Sequence, residues 1–225
     1  MIHAALDTSL AAAFALAEDG RILAHCALAK QGRDSDEFLV PWLMETLQGL
    51  ELNLPDIQQW SVGTGPGSFS GIRVGISWVL GVCAATGASV RGVPSSLALA
   101  RAVATQTGDV AILHDARRSQ LILSPYRLGP AGLVATAEPC VVTPDELLAQ
   151  AAGYAAFVTA QSPVAELLAG RLGERLQVRD GIDARELLAV ADIPWPTSSA
   201  ATTASLEPVY VRPGVFVKPR PVVSH

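Results

Sequence analysis

The stretch Gly63-Thr64-Gly65-Pro66-Gly67-Ser68-Phe69-Ser70-Gly71-Ile72-Arg73-Val74-Gly75 constrains this chain more than any other. It closes one element, turns sharply and opens another. Trp60-Ser61-Val62 before it reads as a strand, and Ile72 to Ala85 after it reads as a helix. Gly65, Gly67 and Gly71 permit close backbone approach, and Pro66 fixes one turn angle. A strand, a glycine turn and a helix in series often hold an anion, because free N–H groups and the helix dipole point at it. Three familiar patterns fail here. A P-loop needs a Lys-Ser/Thr pair after its second glycine. The dinucleotide fingerprint needs its third glycine one place before Gly71. A nucleophile elbow needs a glycine two places before its serine, and neither Ser68 nor Ser70 has one. The remaining structural reading is a tight turn with close helix packing.

Half of the 225 residues are hydrophobic and 16% are charged, enough apolar material for a core in each half. The net charge of −5 argues against a broad phosphate-binding surface, so service to nucleic acid is expected only through a partner. Cys26, Cys83 and Cys140 are widely spaced and unaccompanied by histidine, which excludes a familiar zinc site and argues against a disulfide framework. No leader and no uninterrupted apolar run of membrane length is visible, so a cytoplasmic protein with no membrane contact is expected.

Strands are predicted over residues 2–6, 11–17 and 21–28, a helix over about Asp36 to Leu50, then the strand at Trp60, the glycine turn and its helix. A strand at 89–93 and a helix from Pro94-Ser95 follow. The second half repeats this grammar. Val110 to Leu113 opens it, Gln120–Leu123 and Tyr126–Leu128 read as strand broken at Pro125, and Leu133–Val142 reads as one strand. Thr143 to Glu146 forms a capping box. The expected fold is therefore α/β, a duplicated actin-like ATPase (ribonuclease H-like) fold. Its two domains, 1–106 and 107–225, each carry a mixed five-stranded sheet with flanking helices. Each half opens with a strand delivering an aspartate, Asp7 or Asp115. Asp7, Thr8, Ser9 and Asp115 either cap turns or form a weak, degenerate nucleotide site. Leu10, Ala11, Arg117 and Arg118 stand where glycines would admit phosphate.

The helix after the glycine turn is apolar all round, with Ile72, Ile76, Val79, Leu80 and Cys83 on one face and Val74, Trp78 and Val82 on another. The preceding helix adds Phe38, Val40, Trp42 and Met44 to its stripe of Leu39, Leu43, Leu47 and Leu50. The expectation is a partner interface of Leu39, Trp42, Leu43, Gly67, Ser68, Phe69, Gly71, Arg73, Val74, Gly75, Trp78 and Val82. In it, Gly67, Gly71 and Gly75 form a smooth ridge for the partner. The alternative is an intramolecular core.

The segment Gly65 to Gly75 resembles the Gly-Pro-Gly-Ser-Phe-Thr-Gly-Leu-Arg-Ile-Gly motif of the TsaB family. Leu6-Asp7-Thr8-Ser9, Gly92 to Leu97, Asp115-Ala116-Arg117 and Pro208 to Arg212 resemble four further family segments in the same order. The resemblance implies an accessory subunit of the bacterial machinery that adds threonylcarbamoyl to the adenosine beside the tRNA anticodon. Its partners would be a TsaD-type catalytic paralogue and a TsaE-type ATPase, with tRNA met through the complex and homodimers formed in isolation. It implies no catalytic residue, no cofactor and no metal in this chain. The isolated His3, His25, His114 and His225 agree with that. One departure is Asp34 to Asp36, which stands where family members place a histidine before the first helix. The tail, with Pro213, Pro219, Pro221, Arg212, Lys218 and Arg220, reads as an extended basic segment. The alternatives are a protease-like or ATP-hydrolysing enzyme of the same superfold, with Ser68, Ser70 and Cys83 as nominal nucleophiles, or a homodimeric scaffold unconnected with tRNA.

Overall fold

A computed structural model describes residues 1–28, 33–103, 108–129, 132–190, 206–209 and 211, with the side chains of 33–36 excepted. Alternating apolar residues build the first sheet from β1 (Ile2–Asp7), β2 (Ala13–Glu18), β3 (Arg21–Ala27), β4 (Gln59–Gly63) and β5 (Ser89–Val93). Their order is β3-β2-β1-β4-β5, antiparallel across the first three and parallel from β1 through β5. The second sheet contains β6 (Asp109–Asp115), β7 (Leu121–Gly129), β8 (Gly132–Ala135), β9 (Cys140–Val142), β10 (Ala156–Thr159) and β11 (Leu176–Val178). Its order, β11-β10-β6-β7-β8, repeats that of the first sheet, which is the expected duplication.

The second sheet has six strands rather than five, because the predicted strand 133–142 divides. β8 pairs with the far end of β7 and β9 with the near end. The gap between them falls at Pro125, so β7 runs unbroken through a residue that has no N–H to donate. The Pro125 carbonyl accepts from Thr136 N at 3.0 Å.

Among the described residues, six α-helices complete the fold: α1 (Arg33–Gln48), α2 (Phe69–Thr86), α3 (Ser95–Arg101), α4 (Pro144–Ala149), α5 (Ser162–Leu168) and α6 (Ala184–Leu188). The capping box predicted at Thr143 and Glu146 is formed. α1 and α2 lie on one face of the first sheet. There Leu39, Leu43, Ile76 and Val79 pack with Leu6, Phe14, Trp60 and Val62. By length and composition α2 would pass as a membrane span, which the sequence reading had not allowed, yet it packs on β1, β4 and β5.

On the opposite face of the first sheet, β1 and β2 present the small side chains Ala5, Ala13 and Ala15, so a helix can approach closely there. That helix is α6, from the second half of the chain. Conversely, α3 from the first half packs on β6, β7, β8 and β10 of the second sheet. One apolar core joins both. A third core, with Leu113, Leu123 and Phe157, covers the outer face of the second sheet. The boundary expected at 106/107 lies outside the described residues.

Candidate functional site

The glycine turn is stitched to the loop between β1 and β2 and to the start of α3. Ser68 N donates to Ser9 O at 2.6 Å, and Thr8 Oγ1 donates to Gly71 O at 2.7 Å. Ser95 N donates to Gly65 O at 2.8 Å, and Gly65 N to Ser95 Oγ at 3.0 Å. Gly65 sits at φ +94°, a conformation open to glycine, and Ser68 caps α2 by accepting from Gly71 N. A Cβ on Gly67 would strike Ser9, and on Gly71 or Gly75 it would strike Thr8. The ridge expected to receive a partner therefore receives this chain's own β1–β2 loop. Gly71 and Gly75 are buried by it, which corrects their expected interface role, while Gly67 stays exposed.

Asp7 is completely buried. It accepts from Ser9 N at 2.8 Å, from Ser9 Oγ at 2.7 Å and from Ser95 Oγ. Burial pushes its carboxyl above the usual range, and these hydrogen bonds pull partly against that rise. Beside it, Gly63 leaves room that any side chain would take from the carboxylate. Asp7 and Thr8 are thus committed inside the fold and do not line the neighbouring cleft, which corrects their expected nucleotide role. Ser9 and Asp115 do line it.

This cleft, of about 1010 Å³, runs between the two halves past Ser9, Ser68, Phe69, Asp115, Arg117 and Arg179. Asp115 N donates to Gln161 Oε1, and its carboxylate accepts from Arg117 N at 2.7 Å. Arg117, Arg118 and Ser119 follow with φ of 65°, 54° and 55°. Three side-chain-bearing residues in the left-handed region put arginines, not glycines, at the tip of the β6–β7 turn, against a cost of about 1–2 kcal/mol per residue.

The remaining predicted interface residues divide by burial. Leu39 and Leu43 are at most 1% exposed and belong to the core, so they are corrected out of the contact surface. Val82 is also buried. Trp42, Val74 and Trp78 are half-buried. Trp42 stands edge-on to Phe14 at 6.4 Å, and Trp78 edge-on to Trp60 at 5.6 Å. Ser68, Phe69 and Arg73 are exposed, with the Arg73 guanidinium 3.7 Å above the Phe69 ring. Phe38, Val40 and Met44 are exposed on α1 at 38–40%, off its leucine stripe. Sequence reasoning noticed their excess but chose the buried leucines instead.

Of the nominal nucleophiles, Cys83 has its thiol pushed up to about 11 by burial, and Ser68 faces Ser70 at 3.4 Å. His3 meets Ser61 Oγ at 3.0 Å and is held down to about 4 by burial and by the charge of Arg91. His114 is buried with neither ring nitrogen hydrogen-bonded, and burial lowers it to about 4 as well. Among the described residues, no three His, Cys, Asp or Glu side chains converge as a metal site would require. The Asp34–Asp36 side chains and the basic tail lie outside the described residues.

A family profile described as TsaD, tRNA N6-adenosine threonylcarbamoyltransferase, matches residues 27–171, well over half of the chain. The Escherichia coli (strain K12) tRNA threonylcarbamoyladenosine biosynthesis protein TsaB is 29% identical over 132 residues, 57% of this chain and 56% of that protein. An uncharacterised Mycobacterium leprae protein is 34% identical over 49% of this chain and 29% of its own length. The chain thus spans about half, or less, of the curated relatives it matches. Two solved Pseudomonas aeruginosa structures share the fold. YeaZ matches at TM-score 0.69 over 93% of this chain, and a protein described as similar to peptidase YeaZ at 0.71 over 94%. Each is 24% identical and 99% covered. Profile, relative and shared fold converge, and the chain belongs to the TsaB family, within the wider group that the TsaD profile describes.

Proposed function

We propose that this chain is a non-catalytic accessory subunit in the synthesis of threonylcarbamoyladenosine on tRNA. It docks on a TsaD-type catalytic paralogue through the α1–α2 face and meets tRNA, and a TsaE-type ATPase, through that complex in the cytoplasm. In isolation the same face pairs two copies of the chain. The observation that carries this reading is an aromatic row through the first half. Trp42 of α1, Phe14, Trp60 and Trp78 of α2 stack across the core, so the outer rings of two helices present one half-buried apolar face. Phe38, Val40 and Met44 extend it into solvent. Exposed apolar residues clustered around half-buried aromatics are what a protein interface needs. The low negative charge supports an indirect route to tRNA.

The test is reconstitution of adenosine modification with the paralogue, the ATPase, tRNA, ATP and threonylcarbamoyl-adenylate. Modification should depend on this chain. Met44→Glu and Val40→Glu, at exposed sites, should weaken paralogue binding at least about tenfold, as for a charge placed in an apolar interface core, while the melting temperature stays unchanged. Full modification without this chain would exclude the reading. Full binding by both variants would exclude this face.

A further inference from the structure

The two halves exchange helices, and at each exchanged helix an arginine from the opposite half reaches the C-terminal end. Arg91, on β5 of the first sheet, is 3% exposed. Its Nε donates to Ser61 Oγ at 2.9 Å, on the neighbouring strand. Its Nη2 reaches Leu188 O at 3.4 Å and Leu187 O at 3.5 Å, at the end of α6. Arg179, in the segment after β11, donates from Nη2 to Ala102 O at 3.3 Å, the residue that ends α3. Between the two helices, Arg101 pairs with Glu186 at 3.2 Å.

The last carbonyls of a helix have no partner within it, and a buried one must find a donor. At the buried end of α6, and at the exposed end of α3, that donor comes from the other half of the chain. Each contact is charge-assisted, and Arg91, lowered only to about 10 by burial, stays charged at neutral pH. Ala5 and Ser61, paired across β1 and β4 beside Arg91, are small enough to leave room for the guanidinium. Arg179 and the residues before α6 also form one wall of the cleft, so whatever fixes α6 and α3 fixes the cleft width.

We propose that Arg91 and Arg179 form a reciprocal clasp that locks the two halves and holds the cleft at a fixed opening, rather than letting it close on a ligand. This inference concerns the cleft and does not rest on the proposed partner or tRNA role.

Hydrogen–deuterium exchange on the full chain tests it, with Arg91→Met, Arg179→Met and the double variant. Arg91→Met should speed exchange at 183–189 by about tenfold or more, the loss expected for one charge-assisted hydrogen bond, with β1 and β4 still protected. Arg179→Met should do the same at the end of α3, around 99–103. Spin labels at Cys140 and at Gln48→Cys, with Cys26 and Cys83 replaced by alanine, report the distance between halves. Its distribution should broaden in the double variant. Arg179 is only half-buried, so its variant tests the clasp from the other side should Arg91→Met not fold. Arg91→Lys, which keeps the charge but loses the two-pronged reach, should exchange between parent and Arg91→Met. Unchanged exchange at both helix ends, or acceleration spread evenly over the first sheet with an unbroadened distance, would overturn the proposal.

Discussion

Gly71 and Gly81 sit on the same helix, and one methyl group should act oppositely at the two. A Cβ at Gly71 meets the Thr8 backbone carbonyl, which is pinned in the β1–β2 loop and cannot yield. Gly71→Ala should therefore cost on the order of 2–4 kcal/mol, the range of severe overpacking. At Gly81 nothing lies within 4 Å, and Gly81→Ala should stabilise by about 0.5–1 kcal/mol through helix propensity. Chemical denaturation of both variants checks the pair, and an equal effect at the two sites would refute the packing argument. His114 makes a second case. Its folded pKa of about 4 lies below the ordinary 6.5, so the unfolded chain binds the proton more tightly. The contribution is fully present above pH 6.5 and is lost as pH falls toward 4, at most about 3 kcal/mol. Asp7, shifted the other way, gives a term that fades as pH rises above its ordinary range. His114→Leu should flatten the loss between pH 6.5 and 4 and raise stability at every pH, since two buried unpaired nitrogens disappear. Urea midpoints at pH 4.5 and 7 decide it, and a variant as acid-sensitive as the parent would assign the slope elsewhere. In both residues the sequence showed the type and not the neighbour. Glycines at spacing four announce a close approach, and only the fold reveals that the approaching backbone is Thr8 and Ser9.

At the scale of elements, strand–turn–helix order was legible because periodicity and caps are local. Ser68, Thr143 and Gly87 mark helix ends in the structure as their residue types lead one to expect. β7 was misread because proline was judged by its missing donor alone. Whether that donor is needed depends on which strands lie alongside, and β8 and β9 leave Pro125 between them. α1 and α2 show a similar limit. An all-apolar helix was read as two-faced, but one sheet already covers Leu39, Leu43, Val79 and Val82. The part of the proposed interface still open to a partner is narrower, centred on Trp42, Trp78 and the exposed Phe38, Val40 and Met44. The variants that test it are consequently surface charges and not core substitutions.

For the whole molecule the decisive feature is the exchange of α3 and α6, which local patterns cannot disclose, since the order of elements along the chain is the same whichever sheet each helix covers. Its consequence is thermodynamic. Without α6, the Ala5, Ala13 and Ala15 face of the first sheet lies bare, and its small side chains offer little apolar surface with which to recruit another cover. Without α3, the inner face of the second sheet loses Ala98, Leu99 and Ala100. Each half therefore completes the core of the other, and neither should unfold alone. With Trp195 replaced by phenylalanine, the remaining Trp42, Trp60 and Trp78 all report the first half, whereas far-UV circular dichroism reports both sheets. The fluorescence and dichroism midpoints in urea should coincide, as they must for a two-state unit. A fragment of residues 1–107 should bind an apolar dye through the bared α3, with its Ala98, Leu99 and Ala100, and mixing it with the complementary fragment should restore the tryptophan spectrum. If the first half instead melts at its own midpoint while the second stays folded, the shared core does not couple them, and a hinge between independent halves becomes the better description of this fold.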